Sequence, residues 1–404
     1  MVHQTISTRS NSAPSASSRI SSMRSFPWHL SVAVIVGMLA ACAGGPPLSP
    51  PPAPRPPAAP PDAPVVLPSD TGPLPPALVQ PKSRWIPVRW AELPGFAEDN
   101  PWEAWNAWIK SCERPGPVFA PLCAEVRRLS IATPEEQRAW MMSRLQPFRV
   151  EGHDGRVEGL LTGYYEPVLL ARRTPGDGYT VPLYSPPASL NTRRPWYTRQ
   201  EMETLPEVQA QLRGREILYL PDALAALDIQ VQGSGQVRVI EPDGQTRLVR
   251  LAFAGHNGQT YASVGQWVMR QTGSGQGSWA AIRSWAAQNP NRISEMMWAN
   301  PRVVFFREEA VPDSGSGPRG AQGVPLTPGR SIAVDRESIP YGTPVWMASS
   351  GPGATLQRLV MAQDTGGAIL GAVRADYFAG GGPEAGELAG KLKQPLRLWV
   401  LWPK

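Results

Sequence analysis

Histidine and cysteine are scarce in this chain, and each scarcity excludes some chemistry. Of four histidines, His3 and His29 precede Cys42, which leaves His153 and His256 for a folded body. Two scattered His and two further Cys do not make a zinc-ligand set, so no metal and no cofactor is expected. A Ser-His-Asp triad needs one well-placed His, and His256 could serve, but no G-x-S-x-G elbow accompanies it. Excess charge of one sign is lacking too. The formal net charge of +6 includes Arg9, Arg19 and Arg24, which no acid offsets before Cys42; without them 36 basic residues face 33 acidic ones. A body so near neutrality, with no Lys/Arg run, does not suggest a nucleic-acid binder. A long apolar run is also missing. The stretch Leu30–Ala41 is uncharged and apolar but too short to span a bilayer.

That short stretch, with basic residues before it, matches the apolar region of an export signal. It ends Leu39-Ala40-Ala41-Cys42, which resembles a bacterial lipobox. Residues 1–41 then read as a lipoprotein signal peptide and Cys42 as the lipidated N-terminus. Ala43 rather than Asp follows, and by resemblance to sorted lipoproteins this points to the outer membrane, at its periplasmic face, in a Gram-negative cell. Residues 42–82 hold the anchor and a linker dominated by proline, for example Pro50-Pro51-Pro52 and Pro75-Pro76. Such a composition favours extended polyproline II, and a linker of roughly 37 residues reaches on the order of 100 Å. It is either a reach of set length or a plain spacer. Cys112 and Cys123 meet oxidising conditions after export; they form a disulfide or remain two buried thiols.

Helical signals come first in the body. Trp102, Trp105 and Trp108 recur at i, i+3, i+6, as a core stripe or a row of sugar platforms. Thr133-Pro134-Glu135-Glu136 predicts a helix start with a capping box; Thr198 with Glu201 predicts another, and Ser278 caps a helix carrying Trp279, Ile282 and Trp285. Between Ile229 and Phe253, two runs flank Asp243-Gly244 and read as a hairpin. After Asn300, short apolar runs multiply: Val303–Phe306, Ser331–Val334, Thr343–Met347, Leu359–Ala362 and Leu396–Trp402. Closely spaced strands of this kind suggest a barrel. Ser314–Gly323 reads as a surface loop.

Three aspartates mark the C-terminal third. Asp335 ends an apolar run, Asp364 opens Asp-Thr-Gly-Gly-Ala-Ile, and Asp376 sits in Arg-Ala-Asp-Tyr-Phe. Each alone reads as a turn former. Two of them bracketing a Gly-rich bend also suit a shared cleft. Upstream, Thr162-Gly163-Tyr164-Tyr165, Gln232-Gly233-Ser234-Gly235 and Asn257 with His256 bring hydroxyls, amides and aromatic faces onto Gly-rich backbone. Sugar sites use such groups, and so do ordinary hairpin turns.

Together these segments resemble the membrane-bound lytic transglycosylase A family. The matching stretches run in family order: Thr162–Pro167, Val231–Gly235, Gly255–Gly258 with Tyr261 and Ser263–Gly265, Asn300–Phe306, Gly320–Pro325, Asp335–Thr343, Asp364–Gly371, Asp376–Tyr377 and Gly382–Gly386. Residues 83–150 match weakly. The resemblance implies a mainly β fold with some α: a double-psi β-barrel from 83–162 and 297–404, with the three-aspartate region near 321–402, and a smaller β domain, 163–296, inserted in it. It places a substrate groove between the two. It implies non-hydrolytic cleavage of the β-1,4 bond between N-acetylmuramic acid and N-acetylglucosamine, leaving a 1,6-anhydro sugar. By the same resemblance Asp376 is the catalytic aspartate, Asp364 its supporting partner and Thr162 a substrate contact; Gly163, Tyr164, Tyr165, Gln232, Ser234, Gly235, Asn257 and Asp335 are the further expected substrate contacts. The segment from Asp364 to Asp376 is one residue longer than the family pattern. Peptidoglycan strands are the expected partner, with a cell-wall synthase or amidase as possible protein partners. A hydrolytic muramidase and a non-catalytic wall-binding lipoprotein are the rival readings.

Overall fold

The computed structural model describes residues 71–273, 275, 277–311 and 316–404. Cys42, the export signal and most of the proline-rich linker lie outside the described residues. In chain order the strands are β1 (Leu78–Gln80), β2 (Ser83–Pro87), β3 (Leu145–Glu151), β4 (Gly159–Glu166), β5 (Val168–Arg172), β6 (Val181–Tyr184), β7 (Glu216–Leu220), β8 (Gly235–Ile240), β9 (Thr246–His256), β10 (Val304–Ala310), β11 (Ser331–Val334), β12 (Pro344–Ser350), β13 (Thr355–Asp364), β14 (Arg374–Gly381) and β15 (Lys393–Pro403).

Two sheets organise them. The first runs β1-β2-β3-β15-β12-β13-β11-β14-β4, and β15 also pairs with β4. That extra pairing closes β15, β12, β13, β11, β14 and β4 into a ring, the barrel that the resemblance implies. Alternate residues fill its interior: Leu161, Ile332, Val334, Val345, Val360, Ala362, Ala375, Tyr377 and Val400 are all buried together. The second sheet runs β10-β9-β8-β5-β7-β6. β4 stays in the barrel to Glu166, which pairs with Gly381, and β10 pairs with β9 as far as Ala310. Sheet pairing divides the chain after Glu166 and after Ala310. An apolar strand such as Val304-Phe305-Phe306 fits either sheet by its pattern, and only its hydrogen-bonded partner decides.

The helix signals act as capping chemistry requires. Thr133 and Thr198 each accept a backbone N–H while Glu136 and Glu201 reach back, and Ser278 accepts from Ala281. In the helix Pro101–Ser111, Trp105 and Trp108 are buried, but Trp102 is 48% exposed. A step of three residues falls short of a full turn, so the row drifts around the helix and its first member leaves the core. Trp140 packs edge to face on Trp105 and Trp108, which tilt against each other, and the three cover the outer side of the barrel with Trp346, Met361 and Trp399. Cys112 and Cys123 are joined in a disulfide next to this cluster. The hairpin is β8–β9, but Ile229–Gln232 belong to the helix Ala223–Gln232, started by the Asp222 cap and ended by Gly233 in the left-handed region (φ 83°).

Candidate active site

The site is built on neighbouring barrel strands. Parallel pairing of β14 with β4 sets Asp376 beside Thr162. Antiparallel pairing of β11 with β14 sets Ala333 opposite Asp376, and parallel pairing of β11 with β13 sets the same Ala333 beside Asp364. The two carboxylates thus flank one alanine, with their backbones two strand spacings, or about 10 Å, apart. A β-bulge makes this possible. Ile332 pairs with Ala362 but Ala333 pairs with Asp364, so Gln363 is the extra residue. Without it Asp364 would follow Val360 and Ala362 into the barrel interior. Gln363 is itself fully buried and donates to Ala107 O and Ser111 Oγ, which ties the bulge to the Trp-rich helix.

Asp376 Oδ1 accepts a hydrogen bond of 2.5 Å from Thr162 Oγ1, and Thr162 Oγ1 accepts one of 2.8 Å from Arg374 Nη2. Asp364 Oδ2 accepts from the Tyr164 hydroxyl at 2.8 Å, and its Oδ1 from Ala321 N–H at 2.9 Å. Burial holds the Asp376 carboxyl above the ordinary aspartate range, against the Thr162 hydrogen bond and the Arg374 charge. Burial pushes Asp364 up to about 6; its hydrogen bonds to Thr365, Tyr164 and Ala321 oppose the rise, and the charge of Asp376 adds to it. The Tyr164 hydroxyl is also raised, by burial and by Asp364.

A cleft of about 240 Å³ opens onto Asp376. Thr162, Arg374 and the Gly366–Ile369 turn line its barrel side; Gln230, Val231, Tyr261, Asn300, Arg302 and Val304 line the side of the second sheet. Asp376 keeps part of its surface open to this cleft. Of the expected site residues, Asp376 and Thr162 line it, while Asp364 lies behind and fixes Tyr164 and the Ala321 loop.

The remaining expected contacts do other work. A side chain at Gly163 would meet Ala389 Cα at 2.7 Å, so the glycine permits β4 to pack on the helix Gly382–Lys391. Tyr165 donates its hydroxyl to Asp228 at 2.7 Å and its N–H to Gln232 at 3.0 Å, which binds β4 to the helix Ala223–Gln232. Ser234 is buried, and a Cβ on Gly235 would strike Ile229. Asn257 is saturated internally: it donates to Tyr197 O and Pro301 O and accepts from Val303 and Gln259. Asp335 accepts from Gly371 N–H and from Lys82, and so anchors the far end of the loop that lines the cleft. Polar groups of this kind suit a sugar by their chemistry, but in the fold the hydrogen bonds of Tyr165, Gln232, Asn257 and Asp335 go to the protein itself.

Arg374, Tyr261, Arg302 and Asp228 are not among the expected site residues. Arg374 carries a signal, since it lies two residues before Asp376 and a strand puts both on one face. The apolar runs in the sequence do not mark that strand.

Residues 160–307 match the family model described as the MltA specific insert domain, and residues 330–402 match the 3D domain. The chain is 32% identical to membrane-bound lytic murein transglycosylase A of Vibrio cholerae over 270 residues, 64% of this chain and 69% of that protein. It is 33% identical to the Escherichia coli K12 protein of the same name over the same shares. The chain belongs to the membrane-bound lytic murein transglycosylase A family. Solved structures agree on this family. The lytic transglycosylase LtgG of Burkholderia pseudomallei is 39% identical, with a TM-score of 0.55, over 81% of this chain and 99% of that one. MltA of Neisseria gonorrhoeae is 28% identical, with a TM-score of 0.67, over 85% and 98%. Escherichia coli MltA with bound chitohexaose is 26% identical, with a TM-score of 0.64, over 81% and 96%. The fold is therefore the family's: a double-psi β-barrel, an inserted β domain, and a substrate groove between them.

Proposed function

We propose that this member of the family is a peptidoglycan lytic transglycosylase that cleaves the β-1,4 bond between N-acetylmuramic acid and N-acetylglucosamine, with Asp376 as acid and then as base. The observation that carries the reading is the placement of Asp376. It is the one of the three aspartates that lines the cleft, and it is enclosed enough for burial to favour its protonated form. Thr162 holds Oδ1, which leaves Oδ2 for the glycosidic oxygen.

The reaction then balances without water. Asp376 gives its proton to the leaving O4 of N-acetylglucosamine as the glycosidic bond breaks. The muramic C6 hydroxyl attacks its own anomeric carbon, an intramolecular step in which proximity is built into the substrate. Asp376, now a carboxylate, takes the C6 hydroxyl proton and returns to its starting state. Thr162, with its oxygen occupied by Arg374, directs its proton at Asp376 and steadies the carboxylate stage. Asp364, two strands away, stabilises the oxocarbenium-like state through its charge.

Cell-wall turnover and remodelling is the proposed role. Lipidation at Cys42 would hold the enzyme on the periplasmic face of the outer membrane, with the proline-rich linker providing reach. Among the described residues no helix is long and apolar enough to cross a membrane. Asp376→Asn tests the mechanism: anhydro-muropeptide release from purified sacculi should stop while sacculus binding persists. Wild-type products carrying an added water would instead identify a muramidase, and an active Asp376→Asn would move the acid to Asp335 or Glu166.

A further inference from the structure

Behind the second-sheet wall of the cleft lies a separate cavity of about 470 Å³. Its walls combine apolar side chains, notably Met202 and Met297, with charges of both signs: Arg199, Arg213, Glu203 and Glu216. The proposed reaction uses none of them.

Arg199 is the unusual member. It is 5% exposed, yet among the described residues no carboxylate pairs with it. Its guanidinium donates only to neutral oxygens: Nε to Asn300 O at 3.2 Å, and Nη2 to Gln230 Oε1 at 2.7 Å and Arg302 O at 2.9 Å. Nη1 has no hydrogen-bond partner among the described residues, while the side chain lines the cavity. A buried cation without a counter-ion is costly, and proteins normally pair it. Here burial lowers the Arg199 pKa to about 10, and only the more distant Glu203 opposes the fall. Two other buried arginines are paired, Arg250 with Glu166 and Arg330 with Asp99 and Glu103, while the buried Arg138 donates to the Asp99 backbone carbonyl and does not line this cavity. With the Nε and both Nη2 protons donated, Nη1 keeps two protons, which suits one oxygen of a carboxylate in the cavity. Glu203 and Glu216 on the same cavity are suited to an ammonium group.

We propose that this cavity binds a short zwitterionic peptide, with its carboxylate on Arg199, its ammonium on Glu203 and Glu216, and its apolar part against Met202 and Met297. The site adjoins the catalytic cleft, because Gln230, Asn300 and Arg302, the residues that Arg199 holds, also line that cleft. Two sources carry this chemistry: the peptide stems of peptidoglycan and ordinary peptides.

Calorimetric titration of the full-length protein tests the site with three probes: the stem tripeptide L-Ala-γ-D-Glu-meso-diaminopimelate, trialanine, and N-acetyl-trialanine amide. None contains a glycosidic bond, so the result is independent of whether Asp376 is the acid. At least one zwitterionic probe should bind one to one and saturate, and the capped probe should not. Tighter binding of the stem tripeptide assigns the site to wall stems, whereas equal binding assigns it to peptides in general. Arg199→Gln should abolish the heat. Because that change also removes bonds to three backbone or side-chain oxygens, Glu203→Gln is the second variant. Glu203 is exposed and its replacement keeps an acceptor for Trp298, so the fold should persist while affinity falls by about two- to fivefold. No saturable binding by either zwitterion, equal binding of the capped peptide, or an unchanged affinity in a folded Glu203→Gln would overturn the proposal.

Discussion

Replacing Asp364 by Asn isolates the electrostatic cost of the site. Burial pushes the Asp364 carboxyl from 3.8 to about 6. In this window the native state binds the proton more tightly than the unfolded chain, so ν_U − ν_N is negative and stability falls as pH rises. The loss starts near the unfolded value and is complete above the folded one. A rise of this size corresponds to about 3 kcal/mol as an upper bound. The carboxamide also forfeits one of the two acceptors that Tyr164 and Ala321 use, at about 1–2 kcal/mol, but that offset does not vary with pH. Other carboxylates, such as Glu125 and Glu241, are held below their ordinary range and contribute slopes of opposite sign. The informative quantity is therefore variant stability minus wild-type stability, from urea unfolding at each pH. This difference should be level below about pH 4 and rise by up to about 3 kcal/mol by pH 7. A flat difference across that range would refute the argument that Asp364 is desolvated. A difference that falls with pH would mean that its hydrogen bonds outweigh its burial.

Thr162→Val removes a charge-assisted hydrogen bond to Asp376 worth about 1.5–3 kcal/mol, so turnover of sacculi should fall by about 10- to 100-fold. That bond also lowers the Asp376 pKa, so the alkaline limb of the pH–rate profile should move to higher pH in this variant. Glu166→Gln breaks a buried pair with Arg250, in which Nε and Nη2 lie 2.6 and 3.0 Å from the carboxylate, and should cost about 3–5 kcal/mol in denaturant unfolding. Gly163→Ala drives a methyl group against the backbone at Ala389 and should cost about 1–3 kcal/mol, with activity lost through stability rather than through substrate contact.

Much of this protein is local and so is open to reading residue by residue. The expected export signal, lipobox and proline linker are read from composition and local motif, and the signal, the lipobox and most of the linker lie outside the described residues. The helix starts at Thr133, Thr198 and Ser278 rest on side chains that cap their own backbone within three residues. The apolar runs from Ser331 onward became barrel strands because their patterns suit a buried, pleated surface. Asp376 stands out through the order of the motifs around it, although alone it resembles a turn residue; in the fold it sits on β14.

The arrangement of the site is a matter of tertiary structure. Thr162 and Asp376 are 214 residues apart and meet only because β4 and β14 pair in parallel. Asp364 reaches the same face because one extra residue, Gln363, shifts the register by one. Local periodicity states which faces of a strand are apolar, but it carries no information on which strand lies alongside or in what register. For the same reason Asn257 and Gly235, expected as substrate contacts, lie outside the cleft lining and make intramolecular contacts. Their hydrogen bonds and close contacts are with partners that only the folded chain brings near.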